Sequence, residues 1–300
     1  MHETASTPPH AHAPAPAPVD VDVDTLDRLP GWQPGELLRE TDKTVTISGR
    51  WHGRDVVAKQ LTSSERHWVK RFTHEVIAYR AFAATPPPWP VPRLHHAGRR
   101  VLIIERLPGA SPHTDRYPPL LAEHTVTGMI DALTGFAAWR PPPGPLSTPA
   151  TDWPARIRRY AAAGDLPDDI QQPLLEAVAS APLVFGHGDP LASNALASAG
   201  HPLIFIDYEF AGMYPPDADL ALLGVWLGRH DPHAEQRCAQ LAEADGSLHR
   251  YRAMRVLWLA REQRLYQSLF DMVDDREHRQ WLDDQSANAI TALRRLTGRS

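Results

Sequence analysis

The sequence predicts an α/β chain, of the α+β type, in which a small lobe built on an antiparallel sheet precedes a larger, mainly helical lobe. The sheet is indicated by a β-branched run at 54–61 and by an apolar strand at 101–104 that stops at Pro108-Gly109. The helical lobe is indicated by apolar residues at helical spacing in the last third of the chain. We therefore place the small lobe at 27–107 and the large lobe at 108–300.

The first 26 residues are predicted to be a disordered tail. Alanine and proline alternate from Ala13 to Pro18, and such a tract cannot bury a core. The acidic residues 20–30 suggest a short lead-in helix where the tail meets the small lobe.

The small lobe should contain a strand, a helix and a second strand. The run 54–61 closes on Val-Ala-Lys, and Lys59 is one of only three lysines in the chain. Large apolar residues recur at helical spacing between Trp68 and Phe82, so a helix capped by Ser63 or Ser64 should follow. Glu75 lies on that helix, sixteen positions after Lys59.

The large lobe should begin with a helix of roughly 119–139, which a proline cluster at 141–145 ends. Another helix should start after Pro215-Pro216, where acids precede an apolar run. Three further helices are predicted near 234–244, 247–273 and 276–297.

Composition bounds the function. The chain has 300 residues, a formal net charge of −5, a pI of about 6.3 and a single cysteine. A nucleic-acid partner, an intrachain disulfide and a cysteine-based metal cluster are not expected. No apolar stretch is long enough to span a membrane and no signal peptide precedes the tail, so we expect a cytoplasmic enzyme, as a monomer or weak dimer.

The segment from His187 to Asp207 carries the chemistry. Asp189 and Asn194 are five positions apart, and Asp207 follows an apolar strand thirteen positions later. A loop and hairpin would bring all three side chains to one end of a small sheet. Phosphoryl transfer uses such a set: a carboxylate that accepts the hydroxyl proton, and an amide and a carboxylate that hold Mg²⁺.

The order H-x-D-x-x-x-x-N…D, with glycine at position 188, resembles the aminoglycoside phosphotransferase and choline kinase group. The resemblance implies a two-lobed protein-kinase-like fold that uses ATP, or alternatively GTP, with Mg²⁺. It makes Asp189 the catalytic base and Asn194 and Asp207 the metal ligands. Lys59, oriented by Glu75, would neutralise the nucleotide phosphates.

The same resemblance assigns further roles. The backbone of Glu105 and Leu107 would bind the adenine edge. The segment 37–45, where kinases place a glycine-rich turn, has no glycine, so Lys43 and the amides of 42–44 are only candidates for phosphate contacts. Asp219 would brace the catalytic loop, as His187 would by hydrogen bonds, while Glu209 would reach a metal-bound water or play a structural part.

The acceptor is left open by the sequence. Aromatic residues on the last helices would be core or, if exposed, would enclose a quaternary amine. Acids on the same helices would bind an amino sugar or would be a solvated face. These acids are Glu243, Asp245, Glu262, Asp271, Asp274 and Asp275.

We expect ATP- and Mg²⁺-dependent phosphorylation of a hydroxyl on a small molecule. Low lysine with abundant Arg, Ala and Pro suggests a GC-rich genome, which favours an antibiotic acceptor, either aminoglycoside-like or a nucleoside or other compound, in resistance or biosynthesis. The alternatives are a choline, amino-alcohol or sugar kinase and, in another class, a catalytically weak nucleotide-binding scaffold. A protein kinase is disfavoured because no Asp-Phe-Gly or Ala-Pro-Glu segment follows Asp207.

Overall fold

The computed structural model describes residues 25–269 and 275–298. Most of the predicted tail therefore lies outside the described residues, as do Asp271 and Asp274. The lead-in segment forms a single 3-10 turn at Leu26–Arg28. Among the described residues, no helix is both long and apolar enough to cross a bilayer.

The small lobe is a five-stranded antiparallel sheet in the order β1-β2-β3-β5-β4. A two-residue turn joins β2 to β3: His52 and Gly53 both have positive φ, as the primed hairpin turns require. Lys59 pairs with Thr46 on one side and with Leu102 on the other, so it lies on the central strand of the sheet. The strands are β1 (Trp32–Glu40), β2 (Thr44–Trp51), β3 (Arg54–Leu61), β4 (Leu94–Ala97) and β5 (Val101–Glu105).

Helix α1 (Arg66–Ala84) packs on this sheet. It begins one or two residues later than predicted, and neither serine caps it: Ser63 Oγ accepts a hydrogen bond from the Glu65 amide at 3.2 Å instead. Its buried residues, which include Phe72 and Tyr79, recur at helical spacing, and Glu75 shares their face.

The large lobe is mainly helical, as predicted. The predicted helix 119–139 is shorter, because Ala122 is extended and Ala137 is already the C-cap. The helices are α2 (Glu123–Phe136), α3 (Trp153–Ala162), α4 (Gln171–Ala179), α5 (Ala218–Leu227), α6 (Pro232–Ala244), α7 (Leu248–Leu269) and α8 (Arg276–Leu296). Short strands β6 (Val184–Gly186), β7 (Ala195–Leu196), β8 (Ile204–Phe205) and β9 (Gly212–Tyr214) carry the loops between α4 and α5.

An aromatic core joins the two lobes. Phe82 of α1 contacts the rings of Trp139, Phe185 and Tyr208 at centroid distances of 5.4, 6.1 and 4.8 Å. All four side chains are buried. Because interiors are close-packed and transmit displacement, this contact fixes α1 relative to the segment that precedes Gly212.

Candidate active site

The predicted hairpin forms and brings the three motif residues together. β7 pairs antiparallel with β8, and the Ile206 amide donates to Asn194 O at 2.8 Å. The next residue, Asp207, has φ +65°, a strained region for a non-glycine residue that concentrates at functional sites. The hairpin therefore presents Asn194 and Asp207 at the same end.

Asp219 anchors the backbone at the start of the loop 187–194. Its two carboxylate oxygens accept hydrogen bonds from the backbone amides of His187 and Gly188, at 2.5 and 2.9 Å. Gly188 has φ +77°, and a Cβ there would collide with the Tyr214 hydroxyl. This explains glycine in the motif: a larger residue is excluded both by the backbone angle and by the space.

His187 supports the loop rather than the reaction. Its Nε2–H donates to Ile206 O at 2.9 Å, and its Nδ1 accepts from the Asp189 amide at 3.3 Å. Burial lowers the pKa of this imidazole, although Asp219 opposes the effect. A neutral ring with both nitrogens engaged has no proton to exchange with a substrate.

Asp189 is buried, and its two carboxylate oxygens face different surroundings. Oδ2 accepts a hydrogen bond of 3.3 Å from Asn194 Nδ2. Oδ1 is fully buried, has no hydrogen-bond partner within the described residues, and lies 3.8 Å from Arg261 Nη2. Burial raises the pKa of Asp189 to about 6, against the opposing fields of Arg116 and Arg261. The residue is therefore a carboxylate at neutral pH, and one of its oxygens accepts no hydrogen bond from the described residues.

Lys59 bridges the two lobes. Its Nζ lies 2.6 Å from Glu75 Oε2, which is the predicted ion pair, and 2.7 Å from Asp207 Oδ1. Burial would lower the pKa of Lys59, but Asp207 and Glu75 outweigh it and the pKa is raised. Burial tends to raise the pKa of Asp207, but Lys59 outweighs it and the pKa falls. An ammonium ion and an ionised Asp207 follow.

The donor atoms beside Lys59 fit Mg²⁺. Asn194 uses its Nδ2 to donate to Asp189 O at 3.0 Å, and its amide oxygen, which accepts only a 3.4 Å hydrogen bond from Ser193 Oγ, keeps a lone pair for a cation. With the ionised Asp207 this gives two hard oxygen donors, the type that Mg²⁺ prefers. No group of three or more His, Cys, Asp or Glu in the described ranges could hold a metal ion, so nucleotide phosphates and water would have to complete the coordination.

The glycine-free turn is closed by threonine instead of glycine. Thr41 Oγ1 accepts hydrogen bonds from the amides of Thr44 and Lys43, at 3.0 and 3.3 Å. Lys43 reaches across the cleft, with its Nζ 3.1 Å from Glu209 Oε1 and 4.2 Å from the centre of the Trp68 ring. Lys43 and Glu209 therefore engage each other, and the amides of 43 and 44 point into the turn.

The predicted hinge follows β5. The Glu105 amide donates to Arg93 O at 2.8 Å, and its carboxylate accepts from the Arg93 amide at 3.2 Å. Both groups are engaged, so Glu105 could contact a base only through its carbonyl. Leu107 follows two residues later.

The sequence missed the partners of Glu262, Arg116 and Tyr117, on the other side of Asp189. Arg116 donates two hydrogen bonds of 2.8 Å to Glu262, and the Tyr117 hydroxyl donates a third of 2.8 Å. Glu262 is buried, and although burial tends to raise its pKa, Arg116 outweighs this and holds it at about 2. The only signal was an Arg-Glu pair, 261–262, on an aromatic helix, and its partners are about half the chain away.

The other acids proposed for an amino sugar that lie within the described residues are also occupied or remote. Asp275 caps α8 and accepts from the His278 amide at 2.9 Å, with Arg229 Nη2 3.8 Å away. Glu243 and Asp245 are exposed at the end of α6. The aromatic stripe is largely core, as Trp226, Tyr251 and Trp258 are all buried.

Solved structures resemble this fold over most of its length. An aminoglycoside phosphotransferase APH(4)-Ia mutant, in a ternary complex with AMP-PNP and hygromycin B, gives a TM-score of 0.55 at 17% identity, over 89% of this chain and 96% of that one. A GDP complex of a mutant aminoglycoside 2'-phosphotransferase-IIIa gives 0.59 at 15%, over 86% and 93%. The ethanolamine kinase of Plasmodium vivax gives 0.56 at 11%, over 89% and 84%. Among curated protein sequences, none matches this chain.

These likenesses confirm the predicted class, a two-lobed protein of the kinase-like fold. The chain belongs to the phosphotransferase enzyme family, whose sequence model matches residues 45–253. Membership of that family supports the phosphorylation of small molecules.

Proposed function

We propose that the protein transfers the γ-phosphoryl group of ATP to a hydroxyl of a small molecule, with Asp189 as the catalytic base. The observation that carries the proposal is the environment of Asp189. One of its oxygens is tied to Asn194, and the other is buried without a hydrogen-bond partner beside Arg261. A carboxylate with a pKa of about 6 and an oxygen that accepts no hydrogen bond can take the proton of an alcohol while the alcohol oxygen attacks the γ-phosphorus.

Lys59 is the proposed phosphate ligand. It is charged, central in the sheet and held by Glu75, so its position is set before the nucleotide arrives. When the nucleotide binds, its phosphate oxygens would compete with Asp207 for the ammonium group. Asp207 would then be released toward the metal.

Asn194 and Asp207 would hold Mg²⁺, which would neutralise phosphate charge during transfer. Asp207 comes two positions after the end of β8, so its backbone lies at the same end of the hairpin as Asn194. Glu209 is the next candidate for a metal ligand, but its carboxylate is paired with Lys43.

Nucleotide choice between ATP and GTP stays a prediction, as do the base contacts of Glu105 and Leu107. Lys43 would contribute to phosphate binding only by leaving Glu209. An antibiotic acceptor, a cytoplasmic location and a monomeric or weakly dimeric state likewise remain predictions from the sequence. An amino-alcohol or sugar acceptor, and a nucleotide-binding scaffold without turnover, are the alternatives.

The test is ADP release from Mg·ATP with a panel of hydroxylated acceptors that includes neutral sugars, amino sugars, amino alcohols and hydroxy acids. Asp189→Asn should lower turnover at least about a hundredfold, as loss of a general base does. Asp131→Asn, which changes an exposed acid on α2, is the matched control and should keep full turnover. Nucleotide binding without ADP release for any acceptor would support the scaffold instead.

A further inference from the structure

Positive charge surrounds the side of Asp189 that faces away from Asn194. Arg261 Nη2 lies 3.8 Å from Asp189 Oδ1, and Arg261 Nη1 lies 3.8 Å from Glu262 Oε1. Glu262, however, already accepts three hydrogen bonds of 2.8 Å from Arg116 and Tyr117. Its charge is therefore compensated by Arg116, and Arg261 is left to interact weakly with two carboxylates.

A second arginine, Arg156, packs on the same pair of indole rings. Arg261 lies over the Trp258 ring at 5.1 Å and Arg156 over the Trp153 ring at 5.1 Å. The two indoles meet edge to face with centroids 5.3 Å apart. The two guanidinium groups thus pack on one pair of buried indoles, and Arg261 is the one that lies 3.8 Å from Asp189.

Both arginines have unused donors. Arg261 Nη1 and Arg156 Nε are fully buried and have no hydrogen-bond partner within the described ranges. Buried donors without partners are rare in native proteins, because each forfeits its hydration without compensation. The two guanidinium groups also repel each other. Burial lowers the pKa of Arg156, and the positive charge of Arg261 lowers it further. An anion bound between them would satisfy the donors and relieve the repulsion.

We propose that the acceptor carries an anionic group, a carboxylate or a phosphate, which Arg261 and Arg156 bind while Asp189 receives the proton of a nearby hydroxyl. This rests on the proposed phosphoryl transfer and specifies its acceptor. Polycationic acceptors are disfavoured, because Glu262 is the buried acid on this side and Arg116 neutralises it. Guanidinium groups are suited to this task, since their planar donor pairs match carboxylate and phosphate oxygens.

The experiment uses three linear six-carbon polyols that differ only at C1: gluconate, glucitol and glucamine. Their dissociation constants are measured by isothermal titration into the full-length protein loaded with Mg²⁺ and a non-hydrolysable ATP analogue, which occupies the nucleotide site. Gluconate should bind at least about tenfold more tightly than glucamine, with glucitol between them, as charged hydrogen bonds of this kind imply. In Arg261→Gln and Arg156→Gln the preference should fall by about tenfold.

Arg264→Gln is the matched control. Arg264 lies one turn beyond Arg261 on α7 and pairs with Asp165, so the variant loses the same charge outside the cluster. The preference of this variant for gluconate should stay within about twofold of the wild type, because solvent and salt screen the exposed charge of Arg264. If glucamine binds as tightly as gluconate, or if gluconate does not bind at all, the proposed anion site is wrong.

Failure of this inference is distinguishable from failure of the proposed function. Binding of the three polyols needs no turnover, whereas phosphoryl transfer is measured by ADP release. Intact ADP release without a gluconate preference would overturn only the anion site. A gluconate preference that Arg261→Gln removes, with no ADP release for any acceptor, would overturn only the phosphotransferase.

Discussion

Asp189 should be held ionised at the expense of stability, which makes Asp189→Asn informative beyond its effect on turnover. Burial raises its pKa from the ordinary 3.8 to about 6. Since one pKa unit corresponds to about 1.4 kcal/mol, the ionised side chain destabilises the folded protein by about 3 kcal/mol near pH 7. The side chain is only 12% exposed, so solvent screens little of this.

The Asp189→Asn substitution removes the charge, but it does not recover all of the stability that ionisation of Asp189 costs. The amide nitrogen of the variant must face either Asn194 Nδ2 or Arg261, and both are donors. One unfavourable donor pair offsets about 1–2 kcal/mol, so we expect a net gain of about 1–2 kcal/mol in the free energy of unfolding near pH 7.

The pH dependence gives the sharper signature. The folded protein binds the Asp189 proton more tightly than the unfolded chain, so protonation stabilises the wild type. That stabilisation is complete below about pH 4 and is lost as the pH rises through about 6. The asparagine variant lacks this titration, so its advantage should grow over the same interval and then stay constant.

The assay is urea unfolding of both proteins at a series of pH values, followed by circular dichroism, with Asp131→Asn as the exposed control. The kcat/KM of the wild type should fall as pH drops through about 6, because the base becomes protonated. A stability difference that does not vary with pH, or a variant less stable than the wild type near neutrality, would refute the argument from burial.

Three other substitutions test the remaining parts of the site. Asp207→Ala should leave a folded protein without turnover, and any residual activity with an unchanged Mg²⁺ dependence would move the metal site elsewhere. Lys59→Met leaves the buried Glu75 and the partly exposed Asp207 without their shared cation and should lower the free energy of unfolding by about 3–5 kcal/mol. Urea unfolding should show partial recovery when Glu75→Gln is added, and no recovery would argue against charge as the cause. Gly188→Ala should destabilise by more than about 2 kcal/mol, and a thermal melt should show that adding Tyr214→Phe restores only part, because the positive φ remains.

The two ion pairs of Lys59 bear on how a nucleotide would bind. In the described structure its ammonium group is shared between Glu75 and Asp207. Nucleotide binding would exchange one charged partner for another, so the buried charge stays compensated throughout. Lys43 and Glu209 form a similar exchangeable pair at the cleft, although Lys43 is more exposed.

The sequence by itself determined the local arrangement of the candidate site. Asp189 and Asn194 are held at a five-residue spacing by a local turn, and the short β7–β8 hairpin delivers Asp207 to the same end. Lys59 on a strand and Glu75 on the next helix could be predicted for the same reason. Periodicity and turn chemistry act between residues close in the chain, so a sequence carries them directly.

Only the tertiary structure decided which charges meet. Lys59 and Asp207 are 148 positions apart, and Arg116 and Glu262 are 146 apart. A charged residue on an amphipathic helix has the same local pattern whether it ends in solvent or against a buried partner. Its state depends on burial and on the nearest opposite charge, and both are set by how distant segments pack. For this reason the sequence left Glu262 open between an amino-sugar ligand and a solvated face, and the fold instead commits it to Arg116.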